Sequence, residues 1–243
     1  MAKRVCYIHI GPHKTGTSSI QWFLKENRGE LLKYGYLVPE SEANHGAHHA
    51  LARKLCGQEL RDHEQSAAAD FARALDETPS EAVIVSSEAL EGLLRNRDYA
   101  RAFFTRIREL NLEPKLLLFP RNPSQQINSL YSSVVRRFRR SEPFEVFVQE
   151  ATQRFGFRYS PLIELAGTHD TELIAQPFTR KTISDSVVPE FLQAIGLGPS
   201  QFRDTNVRRN EDAGPFTLSV ARCVIALDQR HRQPAQVAAN RAM

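Results

Sequence analysis

The residues with the clearest chemical potential lie between Cys6 and Leu24, in the stretch CYIHIGPHKTGTSSIQWFL. An apolar run ends at Gly11, glycine returns at Gly16, and apolar residues then resume at helical spacing. A glycine-bearing turn between a buried strand and a helix gathers backbone N–H groups and the positive end of a helix dipole around one point. The natural guest of such a turn is an oxyanion. Gly11, four residues and Gly16 keep the glycine spacing of a Walker A loop, GxxxxGK[ST], but Thr17 stands where that loop has lysine, and the lysine is Lys14, inside the turn. No run reads as a Walker B strand ending in Asp. AVIVSSE closes on Ser-Ser-Glu and KLLLFPR on Pro-Arg, which leaves magnesium without its usual second anchor. These features disfavour a metal-dependent ATPase.

A second constellation lies about a hundred residues on, in LLLFPRNPSQQINSLY: Arg121 at the end of an apolar run, Ser129 eight positions later, and Tyr131. HKTGTSS after a strand resembles the 5′-phosphosulfate loop of sulfotransferases that use 3′-phosphoadenosine 5′-phosphosulfate (PAPS). The likeness is to the carbohydrate-type and bacterial branches, whose loop reads Lys-Thr-Gly-Thr or Lys-Ala-Gly-Thr. The second stretch is similar to that family's 3′-phosphate pattern, an Arg, then Pro, then a Ser followed two positions later by Tyr.

The resemblance implies a single α/β domain over 1–243, with a central parallel sheet flanked by helices in a P-loop NTPase-like sulfotransferase fold. It implies that Lys14, Thr15, Gly16, Thr17 and Ser18 surround the phosphosulfate and that Arg121 and Ser129 hold the 3′-phosphate, with 3′-phosphoadenosine 5′-phosphate (PAP) as product and no metal. Arginine's planar fork suits a terminal phosphate, and a nearby hydroxyl can share it. A role for Lys14 follows, because sulfuryl transfer moves negative charge onto the bridging oxygen of the departing phosphate, and an ammonium there stabilises the transition state more than the ground state. The resemblance covers the two motifs and the strand-helix order through residue 140, and the remainder only loosely.

Transfer to a hydroxyl or amine also needs a base opposite the loop. Glu88, in VIVSSEAL, follows an apolar run, and strand carboxyl ends converge on the ligand crevice of a parallel sheet. Several carbohydrate-type enzymes use a glutamate in a broadly comparable region, although the local pattern differs. The rival is NHGAHHA, where His48, with His45 and His49, titrates in the useful range. No acidic or cysteine partner stands at metal-ligand spacing beside these histidines. His9 and His13 flank the loop, and His9 reads as packing beside the strand. Among later charges, RRFRR at 136–140 reads as a solvated face with Phe138 turned inward, and Arg208 in NVRRNEDAG is a candidate closing residue over the cofactor.

The elements that must position these groups are legible as alternating strands and helices. Strands are predicted at 4–10, 82–86, 115–119 and 171–178, with an extended YLVP after Gly35. Helices are predicted from Thr17, bent or broken near Gly29; from Asn122 as cap with Pro123 in the first turn; at 144–155 and 160–166; and in VVPEFLQAIGLG up to Gly196. A last amphipathic piece, PFTLSVARCVIAL, precedes a tail over 229–243 that reads as loosely ordered. Strands alternating with helices imply crossover connections and a parallel sheet.

Composition sets the frame. The 243 residues, 41% of them hydrophobic, can bury a sizeable core, and 32 basic against 28 acidic residues give a net charge of +4, which suits an anionic ligand without requiring nucleic acid. Three dispersed cysteines form no CxxC pair and fit a reducing compartment. No segment reads as a secretory leader or a membrane span, so a cytoplasmic protein acting on a small-molecule or glycan acceptor is expected. Two other readings stand beside this one: a P-loop kinase or NTPase, and a protein that keeps the nucleotide pocket without turnover. Acceptor identity and oligomeric state are not written in the sequence.

Overall fold

The computed structural model describes residues 3–41, 46–155, 158–179, 185–206 and 218–225. Five parallel strands form one sheet: β1 Arg4–His9, β2 Tyr36–Leu37, β3 Ala82–Ser86, β4 Leu112–Leu118 and β5 Glu172–Ala175, in the order β2-β3-β1-β4-β5. The helices are α1 Thr17–Glu26, α2 Arg28–Lys33, α3 His49–Leu55, α4 Ala67–Glu77, α5 Ala89–Leu93, α6 Arg97–Glu109, α7 Pro123–Arg136, α8 Phe144–Phe155, α9 Ser160–Thr168 and α10 Val188–Ala194, followed by a helical segment at 218–225.

All five residues of β3 are buried, which requires cover on both faces of the sheet. Strand alternation divides the apolar residues accordingly. Ile8, Val83, Val85, Leu116 and Leu118 pack with Leu51 of α3, Phe71 of α4 and Phe103, Phe104 and Ile107 of α6. Ile84 and Leu117 point the other way and pack with Ile20, Phe23 and Leu24 of α1 and with Val188, Phe191 and Leu192 of α10. This is an α/β fold, a parallel sheet with helices on both faces, as the alternating pattern implies.

Two strands differ from expectation. YLVP contributes a true fifth strand, only two residues long and too short to carry periodicity, through Tyr36↔Ala82 and Leu37↔Val83. β4 begins at Leu112 rather than 115, with Pro114 inside it. β5 joins only from Lys115, so the far side of β4 is unpaired at Pro114, a position that tolerates proline.

Internal packing divides the chain into two units. The first comprises Met1–Arg121 and Tyr159–Arg209, and holds the sheet. The second comprises Asn122–Arg158 and Asn210–Met243; in it Ile127, Tyr131 and Val135 of α7 pack with Phe147 and Ala151 of α8 and with Ala221. Asn122 caps α7 as read, its side chain accepting from the Ser124 N–H at 3.0 Å. Phe138, however, is not turned inward. It is 60% exposed, because α7 stops at Arg136 and Phe138 adopts φ 54°, with Phe138 N–H bonded to Val135 O and Arg139 N–H to Val134 O. Those paired bonds are a Schellman stop, which overrides the helical spacing that pointed Phe138 at the core. Among the described residues no helix is long and apolar enough to cross a membrane. The 229–243 tail lies outside the described residues.

Candidate functional site

β1 lies between β3 and β4, so the turn after it sits at the carboxyl ends of three adjacent strands, the crevice where open parallel sheets bind ligands. β1 supplies the turn, β3 leads to Glu88, and β4 leads to Arg121. The turn itself is built by backbone geometry. Lys14 has φ 69° and Gly16 φ 79°, while Thr15 between them keeps negative φ. Left-handed residues within such a turn bring successive N–H groups to one concave side, an anion nest. Buried Thr15 closes the turn by donating its hydroxyl to Pro12 O at 2.7 Å. Gly16 is then the N-cap of α1, with no side chain capping the helix and no acidic residue in its first turn.

Two glycines let the turn pack closely on its surroundings. A Cβ at Gly16 would lie 2.6 Å from Val187 Cγ1, and one at Gly11 would collide with Thr17 Cγ2 and lie 2.7 Å from His9 Nε2. That His9 nitrogen is buried without a hydrogen-bond partner beside Gly11.

Arg121 reaches the same turn. Its guanidinium donates from Nη1 to the Lys14 carbonyl at 2.7 Å, across 107 residues of sequence, and lies 5.4 Å from the centroid of the Phe178 ring. The residue is only 8% exposed. Its backbone is held by one hydroxyl: Tyr159 Oη accepts from the Arg121 N–H at 3.0 Å and donates to the Arg121 carbonyl at 3.1 Å. Neither Tyr159 nor Phe178 stood out in the sequence, since neither belongs to a motif and both reach Arg121 only through the return of the chain to β5. Ser129 lies on α7 in the second unit and is buried; its link to Arg121 rests on the sequence pattern.

Glu88 also joins the turn. Its Oε2 accepts from Thr17 Oγ1 at 3.0 Å and lies 3.7 Å from His13 Nδ1. The sequence left Thr17 without a carboxylate partner, and the structure supplies one, because pairing of His9 with Ser86 aligns the ends of β1 and β3. The imidazole of His13 close by, with the Thr17 hydroxyl, holds the Glu88 carboxyl down at about 2 against the opposing effect of burial. A carboxylate so well served takes a proton poorly. The same pairing, led by the neighbouring Glu88 carboxylate, raises the pKa of His13 against the effect of burial.

The expectation for His48 needs correction. It is 1% exposed, its Nδ1 accepts from the Ser86 N–H at 3.0 Å, and its Nε2 lies 3.0 Å from the Pro39 carbonyl, to which it donates in the matching tautomer. Both ring nitrogens are thus engaged by backbone, and His48 secures the β3 end rather than meeting an acceptor. His49 pairs through Nδ1 with Ser87 Oγ at 2.9 Å. His45 and Arg208 lie outside the described residues. Among the described residues no group of three or more His, Cys, Asp or Glu side chains is arranged to hold a metal ion.

His9 packs as expected, fully buried against Phe119 and Phe191, with Nδ1 2.8 Å from Ser86 Oγ. Burial pushes its pKa down to about 4, and burial lowers that of His48 as well. Both histidines titrate near 6.5 when unfolded, so the unfolded chain binds more protons below that pH. Their contribution is complete above about 6.5 and is lost as pH falls, His9 alone accounting for about 3 kcal/mol by about pH 4. Glu88 adds its own loss only below about 4.5. His13, whose pKa is raised, acts in the opposite sense near neutrality, so urea midpoints are expected to fall chiefly between about pH 6 and pH 4, and a level profile there would contradict this account.

Comparison with protein-family models and with curated proteins found no match. Among solved structures, one from the work titled "Molecular and structural characterization of the PezAT chromosomal toxin-antitoxin system of the human pathogen Streptococcus pneumoniae" aligns at 12% identity over 94% of this chain and 88% of its own, with a TM-score of 0.35. A likeness at that level carries no functional argument.

Proposed function

We propose that this chain is a PAPS-dependent sulfotransferase, moving the sulfuryl group to a hydroxyl or amine acceptor, carbohydrates among them. The observation that carries the reading is the Arg121 guanidinium bonded to the Lys14 carbonyl. Lys14 and Arg121, distant in sequence, each belong to a stretch that resembles one end of a PAPS site, and they are bonded to each other. The residues present also fit a doubly anionic nucleotide: a turn with left-handed Lys14 and Gly16, a buried imidazole nitrogen of His9 with no hydrogen-bond partner beside Gly11, and the Arg121 guanidinium on the Lys14 carbonyl. Bound PAPS would supply the transferable sulfuryl group. The chain's own part is to hold the phosphosulfate with backbone N–H groups, to grip the 3′-phosphate with Arg121, and to set the Lys14 ammonium where charge develops. The cysteines are unpaired, in keeping with a cytoplasmic setting.

One observation favours a second reading. The Thr17 hydroxyl beside the Glu88 carboxylate is the kind of pair that anchors magnesium in P-loop kinases. Thermal stabilisation separates the two. A ligand at about a hundred times its dissociation constant adds about 2.7 kcal/mol. PAP is expected to stabilise the protein without magnesium, more than 5′-AMP or ATP does. Stabilisation by ATP that requires magnesium, with no response to PAP, would select the kinase reading instead.

A further inference from the structure

We propose that the turn after α7, Arg137-Phe138-Arg139, docks onto an anionic lipid surface, a role that does not depend on the transfer reading. The residue at the centre of this turn is the unusual one. A Schellman stop ordinarily puts glycine in the left-handed region, because a Cβ there crowds the following carbonyl. Here a phenylalanine holds φ 54° with its side chain 60% exposed, so backbone and water both disfavour it. Nothing in the core of the second unit requires the ring, which lies outside the cluster built on Tyr131, Val135 and Phe147. A strained backbone carrying an apolar group into solvent marks a surface that meets a partner.

The flanking charges say which partner. Arg140 is turned back on α8: it bonds Glu142 at 2.5 Å and also Glu150, and lies 5.9 Å from the centroid of the Phe147 ring. It anchors the turn and matches the charge of those two carboxylates. Arg137 and Arg139 are exposed, and neither enters an ion pair among the described residues. Two guanidinium forks therefore stand on either side of an outward ring, and phosphate esters suit such forks. The ring needs an apolar place as well. A dissolved polyanion supplies phosphate or sulfate alone, whereas an anionic bilayer supplies phosphates at its surface and an acyl boundary just beneath them. One ring and two arginines make a reversible contact rather than a permanent anchor.

The test sediments the full chain with vesicles of phosphatidylcholine alone and of phosphatidylcholine with about one-third phosphatidylglycerol, at low salt and at about 0.5 M salt. The wild-type chain is expected to bind the anionic vesicles, to ignore the neutral ones and to be released by salt. Arg137→Ala with Arg139→Ala should weaken binding about thirtyfold, from about fivefold for each arginine. Phe138→Gly should weaken it about tenfold or more. The same glycine should raise the thermal midpoint by about 2–4 °C, because it relieves the left-handed strain. A residue kept for packing would do the reverse, so a lower midpoint in Phe138→Gly overturns the proposal. Equal sedimentation with both vesicles, or none with either, overturns it too. Retention on immobilised heparin in place of vesicle binding overturns it in favour of a dissolved polyanion. A concentration-dependent dimer in place of vesicle binding, abolished by Phe138→Gly, overturns it in favour of a second copy of the chain.

Discussion

Replacing Lys14 by alanine is expected to lower sulfuryl transfer by about 10²–10³-fold, while PAP binding stays nearly intact. The magnitude is that of removing one preorganised group aimed at developing charge in a closed site. The substitution is informative because of the backbone at this position. Lys14 already occupies φ 69°, and alanine keeps the Cβ that makes that region costly, so the loop's strain is unchanged. The Lys14 carbonyl that accepts from Arg121 also survives the change. What disappears is the side chain beyond Cβ, and with it the ammonium. Single-turnover release of labelled sulfate measures its effect, and a rate within threefold of wild type would remove Lys14 from the chemistry.

Arg121→Ala carries the second large effect: roughly ten- to a hundredfold weaker PAP binding, with 5′-AMP binding little altered. Hydrogen bonds to a charged group contribute about 1.5–3 kcal/mol, and 5′-AMP lacks the phosphate that would receive them. The control matters, since Arg121 also braces the turn through the Lys14 carbonyl. A turn that merely loosened would weaken both nucleotides alike, whereas loss of the 3′-phosphate grip weakens only the bisphosphate. Arg121→Lys should recover little, because an ammonium cannot reproduce the planar fork. Calorimetric titration with both nucleotides decides the matter, and equal losses would reject the assignment.

Much of this arrangement could be read from the chain itself, for identifiable reasons. β3 is an apolar run that closes on Ser86, and Asn122-Pro123 is a helix start whose side-chain cap is present in the structure. The turn from Gly11 to Thr17 was legible because backbone geometry of that kind demands glycine at fixed places. What escaped was set by distance in sequence. His13 and Glu88 meet because β1 and β3 pair in a particular register, and Tyr159 reaches Arg121 only after an excursion of the chain. No local spacing encodes such encounters. His48 misled for the converse reason: an imidazole in a histidine cluster looks reactive until both of its nitrogens are found bonded to backbone.

The central place of β1 bears on how the protein is made. This strand leaves the ribosome before either neighbour, yet Val5 pairs with Ala82 on one side and with Glu113 on the other. At about 5–20 residues per second, several seconds pass before either neighbour has emerged. Throughout that interval an apolar segment that will become the middle of the sheet has no edge to join, so the folded yield is expected to depend on shielding of the nascent chain as well as on the final stability of the fold.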